Sequence, residues 1–262
     1  MRVPAIGSLF SGIGGLDLAV EAATGGRVIW QAEVNPWRRS VLARHWPHVK
    51  RFEDVREIRG HERKPEIICG GFPCQDISGA GRREGICGPK SGLWSEFARI
   101  IRALGPRIVI VENVAALTVR GLDRVLGDLA SIGFDAEWSS LRASDAGATH
   151  RRRRTFIVAL ADADRERREP ESPAWAGSRI THRDDAPRRH GPMGWPPPPA
   201  DVGGWERWIS AGGPSPGVRR GPDGTADRLD WMRRISALGD SVVPAQAEQA
   251  IRGLLARFKR GP

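Results

Sequence analysis

The sequence predicts an α/β domain, a mostly parallel sheet with helices on both faces, together with a smaller irregular region. Three observations carry that prediction. Short apolar strand patterns alternate with helical ones over residues 5 to 160. Arg107-Ile108-Val109-Ile110-Val111 is a nearly continuous apolar run, as expected of the buried centre of a parallel sheet. Glycine-rich turns stand where strands give way to helices or loops.

In chain order, Ala5 to Phe10 reads as a first strand. Ser11-Gly12-Ile13-Gly14-Gly15-Leu16-Asp17 is a glycine turn running into a helix with Leu16, Leu18, Ala19 and Ala22 at its apolar positions. Glycines let a ligand approach the backbone, and a helix start offers free N–H groups to negative charge. Asp17 stands where the dinucleotide pattern needs a third glycine, so that pattern is absent and the loop alone fits a tight turn equally well. Arg27 to Glu33 reads as a second strand ending in an acid, and Asn35 can cap a helix whose first residue is Pro36. A carboxylate there can accept two hydrogen bonds from a vicinal diol; a solvated strand-end glutamate fits as well. Asp54 follows a third short segment, placed either to accept from an amino group or simply to face water.

Glu66-Ile67-Ile68-Cys69 reads as a short buried strand, and Gly70-Gly71-Phe72-Pro73 should turn the backbone and present Cys74 at its carboxyl end. A thiol so placed is a candidate nucleophile, although small buried cysteines are common. Residues 79 to 92 are polar and glycine-rich, longer than most connections, and read as a lid or binding loop. Leu93 to Leu104 has helical spacing and is stopped by Gly105-Pro106. The apolar strand 107 to 111 ends in Glu112-Asn113-Val114, which puts another acid at a strand end. A helix over Leu122 to Ile132 and strands over Phe134 to Leu141 and Thr155 to Leu160 follow. Between those strands lies His150 and then four arginines, Arg151 to Arg154, either a solvated patch or an anion contact. The chain finishes with a helix from Ala245 to about Arg257.

The composition changes between 161 and 231, which hold eleven of the 20 prolines and five of the 10 tryptophans without any sustained period. The formal charge of +10 suggests a polyanionic partner. Lys+Arg against Asp+Glu run 24 to 17 over residues 1 to 160, 11 to 12 over 161 to 231, and 6 to 2 over 232 to 262, so the excess lies outside the middle region. No run of 18 apolar residues occurs, and Met1-Arg2-Val3-Pro4 does not begin a signal peptide; the expectation is a cytoplasmic protein without membrane contact. Cys69, Cys74 and Cys87 form no Cys-x-x-Cys pair, so neither a disulfide framework nor a metal site is expected.

Five segments, in order, resemble the motifs of the DNA (cytosine-5) methyltransferases. They are Phe10-Ser11-Gly12-Ile13-Gly14-Gly15, Gly71-Phe72-Pro73-Cys74-Gln75, Glu112-Asn113-Val114, His150-x-Arg152-x-Arg154 and Gly239-Asp240-Ser241-Val242-Val243-Pro244. His150 replaces the usual glutamine, and Asp240 the usual asparagine, placing a negative charge close to where the cofactor carboxylate would lie. The resemblance implies a Rossmann-like S-adenosyl-L-methionine-dependent domain over residues 1–160, a target-recognition region over 161–231, and a segment over 232–262 that returns to the catalytic domain.

It also implies roles. Cys74 would add to carbon 6 of a flipped-out cytosine, Glu112 would protonate ring nitrogen 3, and Arg152 and Arg154 would fix the base carbonyl or nearby phosphate. Phe10, Ser11, Gly12, Ile13, Gly14 and Gly15 would line the cofactor's methionine and ribose side. Glu33 would hold the ribose diol, Val34 the adenine face, Asp54 and Val55 the adenine edge, and Leu93 and Ser241 the methionine end. Pro73 would abut the reacting centre, and Gln75, Ser78 and Asn113 would contact substrate. The implied partner is double-stranded DNA, bound by a monomer, with a cognate restriction endonuclease possible. A tRNA cytosine-5 methyltransferase, or a decayed relative that only binds DNA, are the alternative readings.

Overall fold

The computed structural model describes residues 2–73, 92–162 and 241–258. Cys74, Gln75, Ser78 and Asp240, the loop after Cys74 and nearly all of the 161–231 region lie outside the described residues.

Strand patterns with apolar residues on both faces produce a seven-stranded sheet: β1 (Ala5–Leu9), β2 (Arg27–Ala32), β3 (Lys50–Phe52), β4 (Ile67–Gly70), β5 (Ile108–Val114), β6 (Phe134–Arg142) and β7 (Arg153–Ala161). Among the described residues five α-helices accompany it: α1 (Gly15–Thr24), α2 (Pro36–His45), α3 (Gly92–Leu104), α4 (Leu122–Ile132) and α5 (Pro244–Phe258). The strand order is β3-β2-β1-β4-β5-β7-β6. β1 to β5 are mutually parallel, while β7 runs antiparallel to both β5 and β6.

Strand alternation divides the core into two layers. Ile68, Val109, Val111 and Ile157 face one side, where Phe97, Ile101 and Leu104 of α3 and Val125 and Leu129 of α4 cover them. Ile67, Cys69, Ile110, Phe156 and Val158 face the other, under Leu16 and Val20 of α1 and Ala247, Ile251 and Leu254 of α5. Cys69 is thus a buried strand residue, and burial pushes its thiol pKa well above the ordinary value.

Helix ends follow local chemistry. Asn35 caps α2 by accepting from the Trp37 and Arg38 amides, with Pro36 in the first turn. Gly105 and Gly133 turn the chain after α3 and α4 with φ of 59° and 95°. α5, far along the sequence, is fastened to α1 by Arg252, whose Nη2 donates to the Ala22 carbonyl at 2.6 Å.

β5 ends in Glu112-Asn113-Val114, as the sequence predicts, whereas β7 begins at Arg153, two residues before the expected Thr155. The cause is the antiparallel ladder, which pairs Glu112 with Phe156 and Val114 with Arg154. Glu112 therefore sits within a strand, and an apolar pattern ends before its hydrogen bonding does.

Candidate active site

The chain turns in opposite directions from β1, to β2 and β3 on one side and to β4 and β5 on the other, so the carboxyl ends of these strands border a crevice. A cleft of about 600 Å³ occupies it. Its walls come from the segments following β1, β2, β3 and β4, from the end of β5, and from Leu93, Arg154, Ser241 and Val242.

The glycine loop after β1 forms one wall. Phe10 leaves the strand with φ 55°, a left-handed conformation that costs about 1–3 kcal/mol in a non-glycine residue and is frequent at functional sites. Its ring packs on Phe97 at 6.3 Å, and Phe97, Trp94 and Phe72 continue as an aromatic row supporting both the first loop and the turn after β4. Gly12 has φ 59° and open space where a Cβ would lie, so its backbone is accessible from the cleft. At Gly15 a Cβ would fall 2.7 Å from Ser241 Oγ and 2.7 Å from the Val242 carbonyl, which makes glycine the residue that lets the C-terminal segment close on the loop. Gly14, expected with the others, does not line the cleft; it stands at the α1 N-terminus with φ 88°, against Trp46.

Beneath this loop runs a buried polar chain. Ser11 Oγ lies 2.8 Å from Ser8 Oγ, Ser8 Oγ donates to Asp17 Oδ1 at 2.6 Å, and Gln31 Nε2 donates to Asp17 Oδ2 at 2.7 Å. Burial raises the Asp17 pKa from 3.8 to about 6, against the lowering effect of those two donors.

Glu33 follows β2 and is buried. Its Oε2 accepts from the Gly12 amide at 2.8 Å and its Oε1 from the Asn35 amide at 2.9 Å, leaving further lone pairs on both oxygens. Val34 beside it is 73% exposed, an apolar surface at the mouth. Asp54 and Val55 line the same end, where Asp54 caps a short 3-10 turn by accepting from the Arg56 amide at 2.9 Å. Arg38, Glu53 and Arg56 also line the cleft, which the sequence alone did not single out.

At the opposite end Glu112 meets Arg154, Oε1 to Nε at 2.8 Å, with the two side chains 12% and 15% exposed. Burial raises the Glu112 pKa, while the charges of Arg154 and then Arg152 lower it, leaving a net rise. At Gly71 a Cβ would lie 2.7 Å from Glu112 Oε2, so the first residue after β4 must lack one for this carboxyl to sit here. Asn113 is buried; its Nδ2 donates to the Phe72 carbonyl at 3.1 Å and its Oδ1 accepts from the Val114 amide at 2.8 Å, holding the Phe72-Pro73 turn against β5. Pro73 lines the cleft and is joined directly to Cys74. Arg152 acts on Glu112 through its charge and is not among the lining residues.

A parallel sheet with one antiparallel strand and a cleft at its switch point make this an open α/β domain of the nucleotide-binding class. Solved structures share this fold: a DNMT2 variant from Spodoptera frugiperda (TM-score 0.52, 18% identity, 61% of this chain and 50% of that one) and the Entamoeba histolytica methyltransferase EhMeth (TM-score 0.53, 16% identity, 65% and 56%). The model of C-5 cytosine-specific DNA methylases matches residues 5–184, and the chain belongs to that family. Similar curated proteins include the Bacillus subtilis Type II methyltransferase M2.BsuMI, 33% identical over 58% of this chain and 41% of that protein, and the Moraxella Type II methyltransferase M.MspI, 30% identical over 58% and 37%. The chain thus spans about two fifths of the length of these relatives. No helix among the described residues is long and apolar enough to cross a membrane.

Proposed function

We propose that the protein transfers a methyl group from S-adenosyl-L-methionine to carbon 5 of cytosine in double-stranded DNA, through a covalent adduct of Cys74. The observation that carries this reading is the pairing, in one cleft, of a buried Glu112, its pKa raised by burial, beside Arg154 with a glycine loop, an acid and an exposed apolar residue that together suit a nucleoside.

The residues present suit S-adenosyl-L-methionine. Glu33 keeps lone pairs for a ribose diol, Val34 offers an apolar face to a purine, and Asp54 and Val55 stand at the purine's edge. Ser11, Gly12, Ile13 and Gly15 bring backbone close to the ligand, and the N-terminus of α1 lies behind them, favourable to a carboxylate. Leu93 and Ser241 close the methionine end. When bound, this group supplies an electrophilic methyl.

The chain's own groups do the rest. Carbon 5 of cytosine is a weak nucleophile until a thiolate adds at carbon 6, so Cys74 sulfur forms a bond there and the ring electrons move toward carbon 5. Glu112, whose pKa burial raises, would give a proton to ring nitrogen 3 as negative charge develops, and Arg154 would then stabilise the carboxylate left behind. After carbon 5 has taken the methyl, with S-adenosyl-L-homocysteine left as the other product, water takes the carbon-5 proton, ring nitrogen 3 returns its proton to Glu112, and the ring double bond re-forms as the Cys74 sulfur leaves as thiolate. Asn113 holds Phe72 and hence the turn that carries Pro73 and Cys74. Gln75 and Ser78 belong to the same stretch and are assigned to substrate contacts, as is the base-facing side of Asn113.

A stacked base is out of reach of Cys74, so the target rotates out of the duplex at a cost of a few kcal/mol, about the scale of unstacking one base. The 79 to 92 loop closes over it, and residues 161–231 read the flanking sequence. On this reading the protein is a cytoplasmic monomer, with or without a cognate restriction endonuclease.

Incubation with labelled S-adenosyl-L-methionine and either unmethylated genomic DNA or unmodified tRNA tests this. Label appearing as 5-methylcytosine in DNA supports the proposal. Label confined to tRNA would replace the substrate, and DNA binding without transfer would identify a decayed relative.

A further inference from the structure

Gln246 is fully buried near the start of α5, yet it is the only strongly polar side chain on the buried face of that helix, among Ala247, Ala250, Ile251 and Leu254. A buried primary amide is costly unless it is paired, and an apolar residue of the same size would suit that layer better. Its Nε2 donates to two main-chain carbonyls, Leu141 in β6 at 2.8 Å and Arg152, immediately before β7, at 3.2 Å. The Arg152 carbonyl also accepts from the Ala143 amide at 2.8 Å, at the rung where Arg142 faces Arg153. The next rung pairs Leu141 with Arg154, whose guanidinium meets Glu112 at 2.8 Å.

The same C-terminal segment touches the glycine loop through Ser241 and Val242 at Gly15. One element thus rests on the cofactor wall and, five residues after Ser241, pins the strand start from which Arg152 and Arg154 project.

We infer that Gln246 is a positioning residue for methyl transfer: its two hydrogen bonds clamp the β6–β7 junction and set the distance of Arg154 from Glu112. The inference rests on reading the cleft as a methyl-transfer site. Gln246 touches neither ligand, so its loss should act on the transfer step and leave cofactor binding in place.

The test compares the full-length wild type with Gln246→Met, which removes the donors at similar volume, and Gln246→Glu, which keeps the shape but presents an acceptor to two carbonyls. Gln249→Met, the same change at an exposed position of α5, is the control. Single-turnover transfer to unmethylated genomic DNA and the Kd for S-adenosyl-L-methionine are measured for each. The expected result is transfer slowed about tenfold or more in both Gln246 variants, with cofactor Kd within about twofold and Gln249→Met unchanged. Transfer within about twofold of wild type in either folded variant overturns the inference. So does a parallel loss of cofactor affinity, or failure of both variants to fold, each of which assigns Gln246 a structural role only. No transfer by the wild type refutes instead the function on which the inference rests.

Discussion

Two opposed influences meet at the Glu112 carboxyl, burial and the charge of two neighbouring arginines. Burial raises its pKa, and Arg154 and Arg152 limit the rise. Glu112→Gln, which keeps the shape and removes the proton, is expected to slow transfer by about 10²- to 10³-fold while cofactor Kd stays within about twofold; calorimetric binding and single-turnover kinetics check the two halves. Gly71→Ala places a Cβ against the mobile end of Glu112, so stability should change little while transfer falls by at least about tenfold, read by thermal unfolding and the same assay.

Asp17 carries a different kind of prediction. Its pKa is higher folded than unfolded, so the protonated form favours the fold: the contribution is fully present below about pH 4 and is lost as pH rises through about 6. The shift from 3.8 to about 6 corresponds to roughly 3 kcal/mol. Asp17→Asn removes the titration, and Gln31, whose Oε1 has no partner among the described residues, can turn its amide to meet the new donor. Urea unfolding should show wild type losing stability relative to Asp17→Asn between pH 4 and pH 7, and a constant difference would refute the assignment.

Elements were legible in proportion to how local their causes are. The Asn35-Pro36 cap, the Gly105-Pro106 stop and the apolar faces of α3 and α4 are written in neighbouring residues, and those elements lie where the sequence places them. The ends of β5 and β7 are not local. They depend on a ladder between residues some forty positions apart, so the pairing of Glu112 with Phe156 and of Val114 with Arg154 could not be read from either segment. The packing reason for glycine at Gly15 was similarly hidden, because the atoms that crowd it belong to Ser241 and Val242. Gly15→Ala must displace a backbone carbonyl as well as a hydroxyl, and is expected to cost about 1–3 kcal/mol of stability and to weaken cofactor binding more than the transfer step.

Over the whole molecule, the motif residues recognised in the sequence gather at one end of the sheet: Phe10 to Ile13, Glu33, Asp54, Pro73, Glu112 and Ser241 all line a single cleft. Their order along the chain carried that information because parallel strands bring successive carboxyl ends to one edge. What the sequence hid were contacts among the parts: Glu33 with the Gly12 amide, Asn113 with the Phe72 carbonyl, and the choice of Arg154 over Arg152 as the neighbour of Glu112. Each depends on three-dimensional placement of residues that look alike in one dimension.

In the proposed reaction Cys74 bonds to the target base. The most direct measurement is trapping on duplex DNA in which cytosine is replaced by 5-fluorocytosine, with S-adenosyl-L-methionine present, followed by mass spectrometry of the proteolysed complex. Fluorine cannot leave as a proton does, so the adduct should accumulate as a DNA-linked peptide modified at Cys74 and vanish in Cys74→Ser. Cofactor binding without any adduct, or an adduct on another residue, would contradict the account.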